Sequence, residues 1–201
     1  MIAIIDYDAG NIKSVEKALH FLGKEAVITR DKDVLLQADH VILPGVGNFG
    51  DAMEKINLYG LKPVIEEIVS KGTPFLGICL GLQLLFEESE ECPGVKGLEL
   101  LKGKVVKIPE TEELKVPQIG WNSLKYPNKG RLYEGIPEDS YVYFVHSYYL
   151  QAKEPHIVVA TTDYGVKVHA SVEKDNIFAC QFHPEKSSDV GLAILNNFVS
   201  I

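Results

Sequence analysis

Pro74-Phe75-Leu76-Gly77-Ile78-Cys79-Leu80-Gly81-Leu82-Gln83 is the stretch that decides the fold. One apolar run feeds directly into another, with Cys79 at the junction and a glycine two residues to each side. The pattern predicts a buried strand over Phe75–Ile78 that turns sharply into a helix from Leu80 to about Glu87. Glycines without a Cβ allow such a turn and lift one side chain into a pocket. This is the layout of a nucleophile elbow, with cysteine where a hydrolase carries serine.

Outward from that junction, the N-terminal half alternates strand and helix. Ile2–Ile5, Ala26–Thr29 and His40–Leu43 read as strands. Ile12, Val15, Leu19 and Leu22 recur at helical spacing, and Gly23 marks the stop. Phe49–Ile56 and Leu61–Val69 are expected helices, with Pro63 tolerated in a first turn. Such alternation implies a parallel sheet covered on both faces. The C-terminal half changes character. Val105–Ile108, Tyr141–Val145, Ile157–Thr162, Val166–Val172 and Ile177–Phe182 are strand-like runs between Gly, Pro, Asn and Asp turns, and Val190–Val199 closes as an amphipathic helix. The expectation is an α/β fold: an open, mostly parallel mixed sheet with helices on both faces, flavodoxin-like, with an antiparallel extension of the same sheet in the C-terminal half. One domain over 1–201 accommodates it, since no repeat or linker interrupts the pattern.

Bulk composition narrows the partners. The 201 residues are 46% hydrophobic and 24% charged, enough to bury a core. A net charge of −8 argues against nucleic acid or anionic membrane as a partner. Three cysteines, Cys79, Cys92 and Cys180, form no closely spaced pair, which fits a reducing cytosol. The start Met-Ile-Ala-Ile-Ile carries no basic leader, and the apolar run Phe75–Phe86 is too short to cross a bilayer. A cytoplasmic location is therefore expected. The acidic cluster Glu87–Glu91 reads as a solvated helix end.

Cys79 carries the chemistry. At a strand C-terminus and a helix start, unpaired N–H groups favour the thiolate. Open α/β sheets bind ligands outside their strand C-termini. The Leu80 N–H points at a developing oxyanion. Cys180, behind Ile177-Phe178-Ala179, reads as structural, as does Cys92 before Pro93. Downstream, Gln181-Phe182-His183-Pro184-Glu185 offers a base and a carboxylate. His183 precedes a proline and so takes an extended backbone at a strand end. Glu185 can accept the other imidazole N–H and fix the tautomer. Together they suggest attack on a carbonyl carbon through a thioester. Among the other histidines, His146 is the best competitor, but no carboxylate adjoins it.

Pro44-Gly45-Val46-Gly47-Asn48-Phe49-Gly50 satisfies the dinucleotide fingerprint G-x-G-x-x-G. A dinucleotide site needs an acidic residue at the end of the next strand, and here that strand ends in Cys79. The glycines serve better as mobile backbone beside the nucleophile, presenting N–H groups to an oxyanion. The spacings of His and Cys offer no metal site, and no cofactor is expected.

The Pro-Gly-Val-Gly loop, Gly77–Gln83 and His183-Pro184-Glu185 together resemble the class I, triad-type glutamine amidotransferases. Asp6–Val15, Pro117–Asn122, Tyr143–Tyr148 and Gln181–Ser187 further resemble the glutaminase subunits of imidazole glycerol phosphate synthases, which serve histidine biosynthesis. Asp8 departs from the pattern, since many relatives carry glycine there. The resemblance implies Cys79 as nucleophile on the glutamine side-chain amide, His183 as proton carrier and Glu185 as its orienter. It implies glutamine held by Gly47, Gln83, Ser147 and Tyr148. The oxyanion is then held by backbone N–H groups of Leu80 and, in the Pro44–Gly47 loop, Val46. In relatives this loop can sit turned away until the synthase is engaged. The implied partner is a separate (β/α)8-barrel cyclase subunit that receives the ammonia, forming a heterodimer, with Asn11, Trp121, Tyr143 and Lys186 near the docking face. Trp121 could equally pack in the core, and Lys186 could be a solvated lysine. Three other functions compete: the glutaminase of another pathway (anthranilate, pyridoxal phosphate or purine), a nucleotide-binding module built on Gly45–Gly50, and a cysteine peptidase.

Overall fold

A computed structural model describes residues 1–112 and 114–201. Twelve strands and six helices are described among them. The strands are β1 (Ile2–Ile5), β2 (Ala26–Thr29), β3 (His40–Gly45), β4 (Phe75–Cys79), β5 (Glu88–Ser89), β6 (Gly103–Lys107), β7 (Gln118–Ser123), β8 (Tyr141–His146), β9 (Tyr148–Ala152), β10 (Val158–Tyr164), β11 (Val166–Lys174) and β12 (Ile177–Cys180). The helices are α1 (Ile12–Phe21), α2 (Lys32–Leu36), α3 (Phe49–Leu58), α4 (Leu61–Ser70), α5 (Leu80–Leu84) and α6 (Ser188–Phe198).

The main sheet runs β10-β11-β12-β4-β3-β1-β2. Its strands β2, β1, β3, β4 and β12 are mutually parallel, and β11 and β10 extend it antiparallel. Period-two alternation divides the core between its faces. Ala3, Ile5, Val41, Leu43 and Phe75 pack with the buried residues of α3, α4 and α5. Ile2, Ile4, Ile42, Leu76 and Ile78 pack with those of α1 and α6. A strand buried on both faces reads as a continuous apolar run, which is why Phe75–Ile78 shows no polar alternation. Register then fixes what meets at the C-terminal edge. Gly45 pairs with Cys79 across β3 and β4, and Cys180 pairs with Ile78 across β12 and β4. The segments following β3, β4 and β12 therefore emerge side by side.

Several expectations are corrected. The helix after Cys79 ends at Leu84 rather than near Glu87, because the chain turns back so that Leu98 N and Leu100 N donate to the carbonyls of Leu84 and Leu85. Glu87–Glu91 is no solvated helix end. Glu88–Ser89 is a short strand against β6, and Glu87, Glu90 and Glu91 accept backbone N–H groups of Gly103, Lys107 and Phe49. The strands over Val105–Ile108 and Tyr141–Val145 do not extend the main sheet. They belong to two small sheets, β5-β6-β9 and β7-β8. β7, β9 and α2 were not anticipated. Pro117 and Gly120 mask β7, and α2 is a five-residue turn capped by Asp31.

Candidate active site

Strain at the junction begins with Cys79 itself. Its backbone lies at φ 55, ψ −108, a region that non-glycine residues rarely occupy. Gly81 makes this arrangement possible through close approach rather than through its own torsions. A Cβ there would sit 1.9 Å from the Leu43 carbonyl oxygen. The start of α5 is thus pressed against β3, and the sulfur is turned outward from the sheet edge. Removing Cβ from the neighbours, not freedom of the turn, is what the flanking glycines supply.

A cavity of about 300 Å³ opens at this edge. Among the expected site residues, Val46, Gly47, Cys79, Leu80, Gln83, Ser147, Tyr148 and His183 line it. Gly47 lies at φ +101, which gives the Val46–Gly47 turn its direction. The root of that turn is held by Tyr7, whose hydroxyl donates to the Pro44 carbonyl at 2.9 Å. The Val46 side chain lies over Gly10, where a Cβ would come within 2.8 Å of Val46 Cγ2.

His183 is 1% exposed, and Glu185 Oε1 lies 2.7 Å from its Nδ1. Nδ1–H therefore donates to the carboxylate, and Nε2 makes no hydrogen bond. Burial alone would push the imidazole down, but Cys79 and Glu185 outweigh it and hold His183 up at about 10. Asn11 Nδ2 donates to the same Glu185 oxygen at 2.6 Å. The residue expected at a docking face thus reaches the carboxylate behind the base. Trp121 is 52% exposed, so it is not a core aromatic, and it meets Tyr143 edge-on with ring centroids 6.1 Å apart. Lys186, the residue after Glu185, is exposed.

Sequence reasoning missed four residues here. Gln181 Nε2 donates to Cys79 Sγ at 3.7 Å. His146, offered only as a rival base, lines the cavity without facing it as a free base: Nδ1 donates to the Tyr148 carbonyl at 2.8 Å and the Gln118 amide sits 2.9 Å from Nε2. Burial pushes it down to about 4, with the nearby His183 adding to the effect, so the ring is neutral. Glu91 lines the cavity while its Oε2 caps the first N–H of α3 at 2.8 Å. Tyr7 is the fourth. Gln181 had a usable signal, since it stands two residues before His183 as the chain leaves β12. Glu91 had none, because only the fold brings it to the cavity.

The other cysteines lie elsewhere. Cys180 is fully buried with its sulfur against the Phe182 carbonyl, and burial pushes its thiol well up. Cys92 faces Asn48 Oδ1 at 3.1 Å.

A strained cysteine at the end of a central strand, sharing a cavity with a histidine–carboxylate pair, is the geometry of a nucleophile elbow with its base. The family model for class-I glutamine amidotransferases matches residues 3–201. The chain belongs to that family. This amidotransferase is 52% identical over 201 residues, all of both chains, to the imidazole glycerol phosphate synthase subunit HisH of Methanocaldococcus jannaschii. It is 51% identical over 201 residues to the protein of the same name in Methanothermobacter thermautotrophicus, spanning all of this chain and 98% of the relative. A solved structure described as a glutamine amidotransferase superposes on the chain with a TM-score of 0.76 at 21% identity, covering 99% of this chain and all of the other. At that identity the likeness speaks for the fold, an α/β sheet with helices on both faces. No helix among the described residues is long and apolar enough to cross a membrane.

Proposed function

We propose that the chain is the glutaminase subunit of an imidazole glycerol phosphate synthase, acting in the cytoplasm. It hydrolyses glutamine and passes the ammonia to a separate (β/α)8-barrel cyclase in histidine biosynthesis. The observation that carries the proposal is the meeting of Cys79 and the His183–Glu185 pair at one cavity, in a chain about half identical to HisH subunits along its whole length.

Each residue has a task. A cavity of about 300 Å³ suits a free amino acid better than a peptide. The Glu91 carboxylate on its wall pairs with the substrate α-ammonium, and Gln83, Ser147, Tyr148 and Gly47 hold the rest. The Cys79 sulfur attacks the side-chain amide carbon, and the C=O electrons move to oxygen. Backbone N–H groups of Leu80 and Val46 hold that oxyanion. The protonated His183 gives its proton to the amide nitrogen, the C–N bond breaks, and ammonia leaves. His183, now neutral, takes a proton from water as it attacks the thioester, and the C–S bond breaks to release glutamate and restore the thiolate beside the protonated His183. Glu185 keeps Nδ1–H occupied, so Nε2 does the transfers.

The ammonia acceptor lies on another chain. Ile119, Trp121 and Tyr141 are exposed on the β7-β8 ribbon, with Tyr143, Asn11 and Lys186 alongside as the proposed docking groups. The test is Cys79→Ala mixed with the cyclase. Glutamine-dependent synthesis should vanish while synthesis from free ammonium persists. Loss of both would refute the division of labour.

A further inference from the structure

Six polar groups form one unbroken chain from β7 to the nucleophile. The Gln118 amide meets His146 Nε2 at 2.9 Å, and His146 Nδ1 meets the Tyr148 carbonyl at 2.8 Å. The same carbonyl accepts from Gln83 Nε2 at 3.1 Å. Gln83 Nε2 also donates to Gln181 Oε1 at 3.1 Å, and Gln181 Nε2 reaches Cys79 Sγ at 3.7 Å. Gln118, Gln83 and Gln181 are 2%, 5% and 0% exposed.

The direction of this chain is fixed by its one main-chain member. A carbonyl oxygen can only accept, so Gln83 must turn its NH2 toward Tyr148. Both N–H bonds of Gln83 are then used, one on Tyr148 and one on Gln181. Gln181 must therefore turn its oxygen to Gln83, and its NH2 is left facing the sulfur. An amide that otherwise could point either way is locked as a donor. His146 completes the lock, because its Nδ1–H fills the other lone pair of the Tyr148 carbonyl.

We propose that Gln181 is a further catalytic residue of this site: its side-chain N–H donates to Cys79 Sγ and stabilises the thiolate that attacks the amide. Gln83, the Tyr148 carbonyl, His146 and Gln118 are positioning groups that keep the donor end on the sulfur. The inference rests on the nucleophilic role of Cys79 proposed above. It also assigns Gln83 a second task, orienting Gln181, besides touching substrate. An N–H to a sulfur anion in a buried site is worth more than one to a neutral thiol, so the donor acts on the charged form selectively.

The titratable groups around the sulfur are few. Tyr7 lies beyond the end of β1, Cys180 on β12, His183 and Glu185 follow β12, His146 ends β8, and Glu91 shares the cavity. Burial keeps both Tyr7 and Cys180 protonated, reinforced by Cys79 at Tyr7 and by Glu185 and then Cys79 at Cys180. His183, held up at about 10 by Cys79 and Glu185 against its burial, is the cationic neighbour.

The test is alkylation of the full chain by iodoacetamide across pH, read by mass spectrometry on the Cys79 peptide. Gln181→Met removes the donor at similar length. Gln181→Glu still accepts from Gln83 but offers no N–H to the sulfur, and it keeps the measurement available if the methionine variant unfolds. Both variants should react with a midpoint shifted to higher pH, the glutamate more, and glutamine turnover with the cyclase should fall roughly ten- to hundredfold. An unchanged midpoint in either variant that melts like the wild type overturns the proposal. A glutamine-mimicking diazo ketone on the wild type separates the two levels. If it does not label Cys79, the glutaminase assignment fails whatever Gln181 does.

Discussion

Asn11 Nδ2 donates to Glu185 Oε1 across 174 positions of sequence, at 2.6 Å. The donor sits in the β1–α1 turn with φ 67, a left-handed conformation that asparagine tolerates. The acceptor oxygen is the one that His183 uses. A surface turn and the base are thus joined through one carboxylate oxygen, so a partner that moves Asn11 alters the tether of His183.

That link gives a first expected outcome. Asn11→Gly keeps the left-handed turn and removes the amide. With saturating cyclase, kcat should fall about tenfold, the scale of a hydrogen bond to a charged group, with KM and melting temperature little changed. Asn11→Asp should be worse, since a second carboxylate would face Glu185. Steady-state kinetics of both variants check the order.

Gly81 predicts a stability effect. A Cβ 1.9 Å from the Leu43 carbonyl oxygen has rigid backbone on both sides of the clash. Gly81→Ala should cost at least about 3 kcal/mol, the upper end of overpacking penalties. Gly72→Ala is the control. Its φ is +81 and nothing lies within 4 Å of its Cβ position, so only the torsional cost of about 1–2 kcal/mol applies. Urea titrations of the two should separate clearly.

His146 predicts an acid limb. Its folded value of about 4 lies below the ordinary 6.5. Between those values the unfolded chain binds a proton that the folded chain refuses, so stability is full above pH 6.5 and falls as pH drops toward 4. The loss approaches about 3 kcal/mol below pH 4. His146→Gln, which can still donate to the Tyr148 carbonyl, should flatten that part of the melting-temperature profile. A variant with the wild-type slope would assign the acid limb to other groups.

For His183 the sign is opposite. Burial lowers it, while Cys79 and Glu185 raise it further, leaving a net rise to about 10. Removing the sulfur should bring it down. Nitrogen NMR of the imidazole is expected to show a lower titration midpoint in Cys79→Ala than in the wild type.

Local signals carried the parallel half of the fold. β1 and β2 lie at their expected bounds because short buried strands between helical repeats leave no competing pattern. Cys79, His183 and Glu185 were legible because two short motifs hold them. What was not legible depends on distant pairing. β7 carries Pro117 before it and Gly120 within it, and it forms a ribbon only because β8 lies opposite. Glu91 seemed a solvated charge until the return of the chain placed it on the first N–H of α3. His146 lacked a neighbouring carboxylate, and its ring nitrogens lie instead against the Tyr148 carbonyl and the Gln118 side chain. Its role in holding the Tyr148 carbonyl could not be seen without β9.

The most direct measurement is an acid quench of the complex during glutamine turnover, followed by mass spectrometry of the Cys79 peptide. A glutamyl adduct on Cys79 that forms within the first turnover, is absent with Cys79→Ala and forms far more slowly with His183→Asn is the predicted result. Turnover of glutamine at full rate by the Cys79→Ala chain, or an adduct on Cys92 or Cys180 instead, would contradict the account.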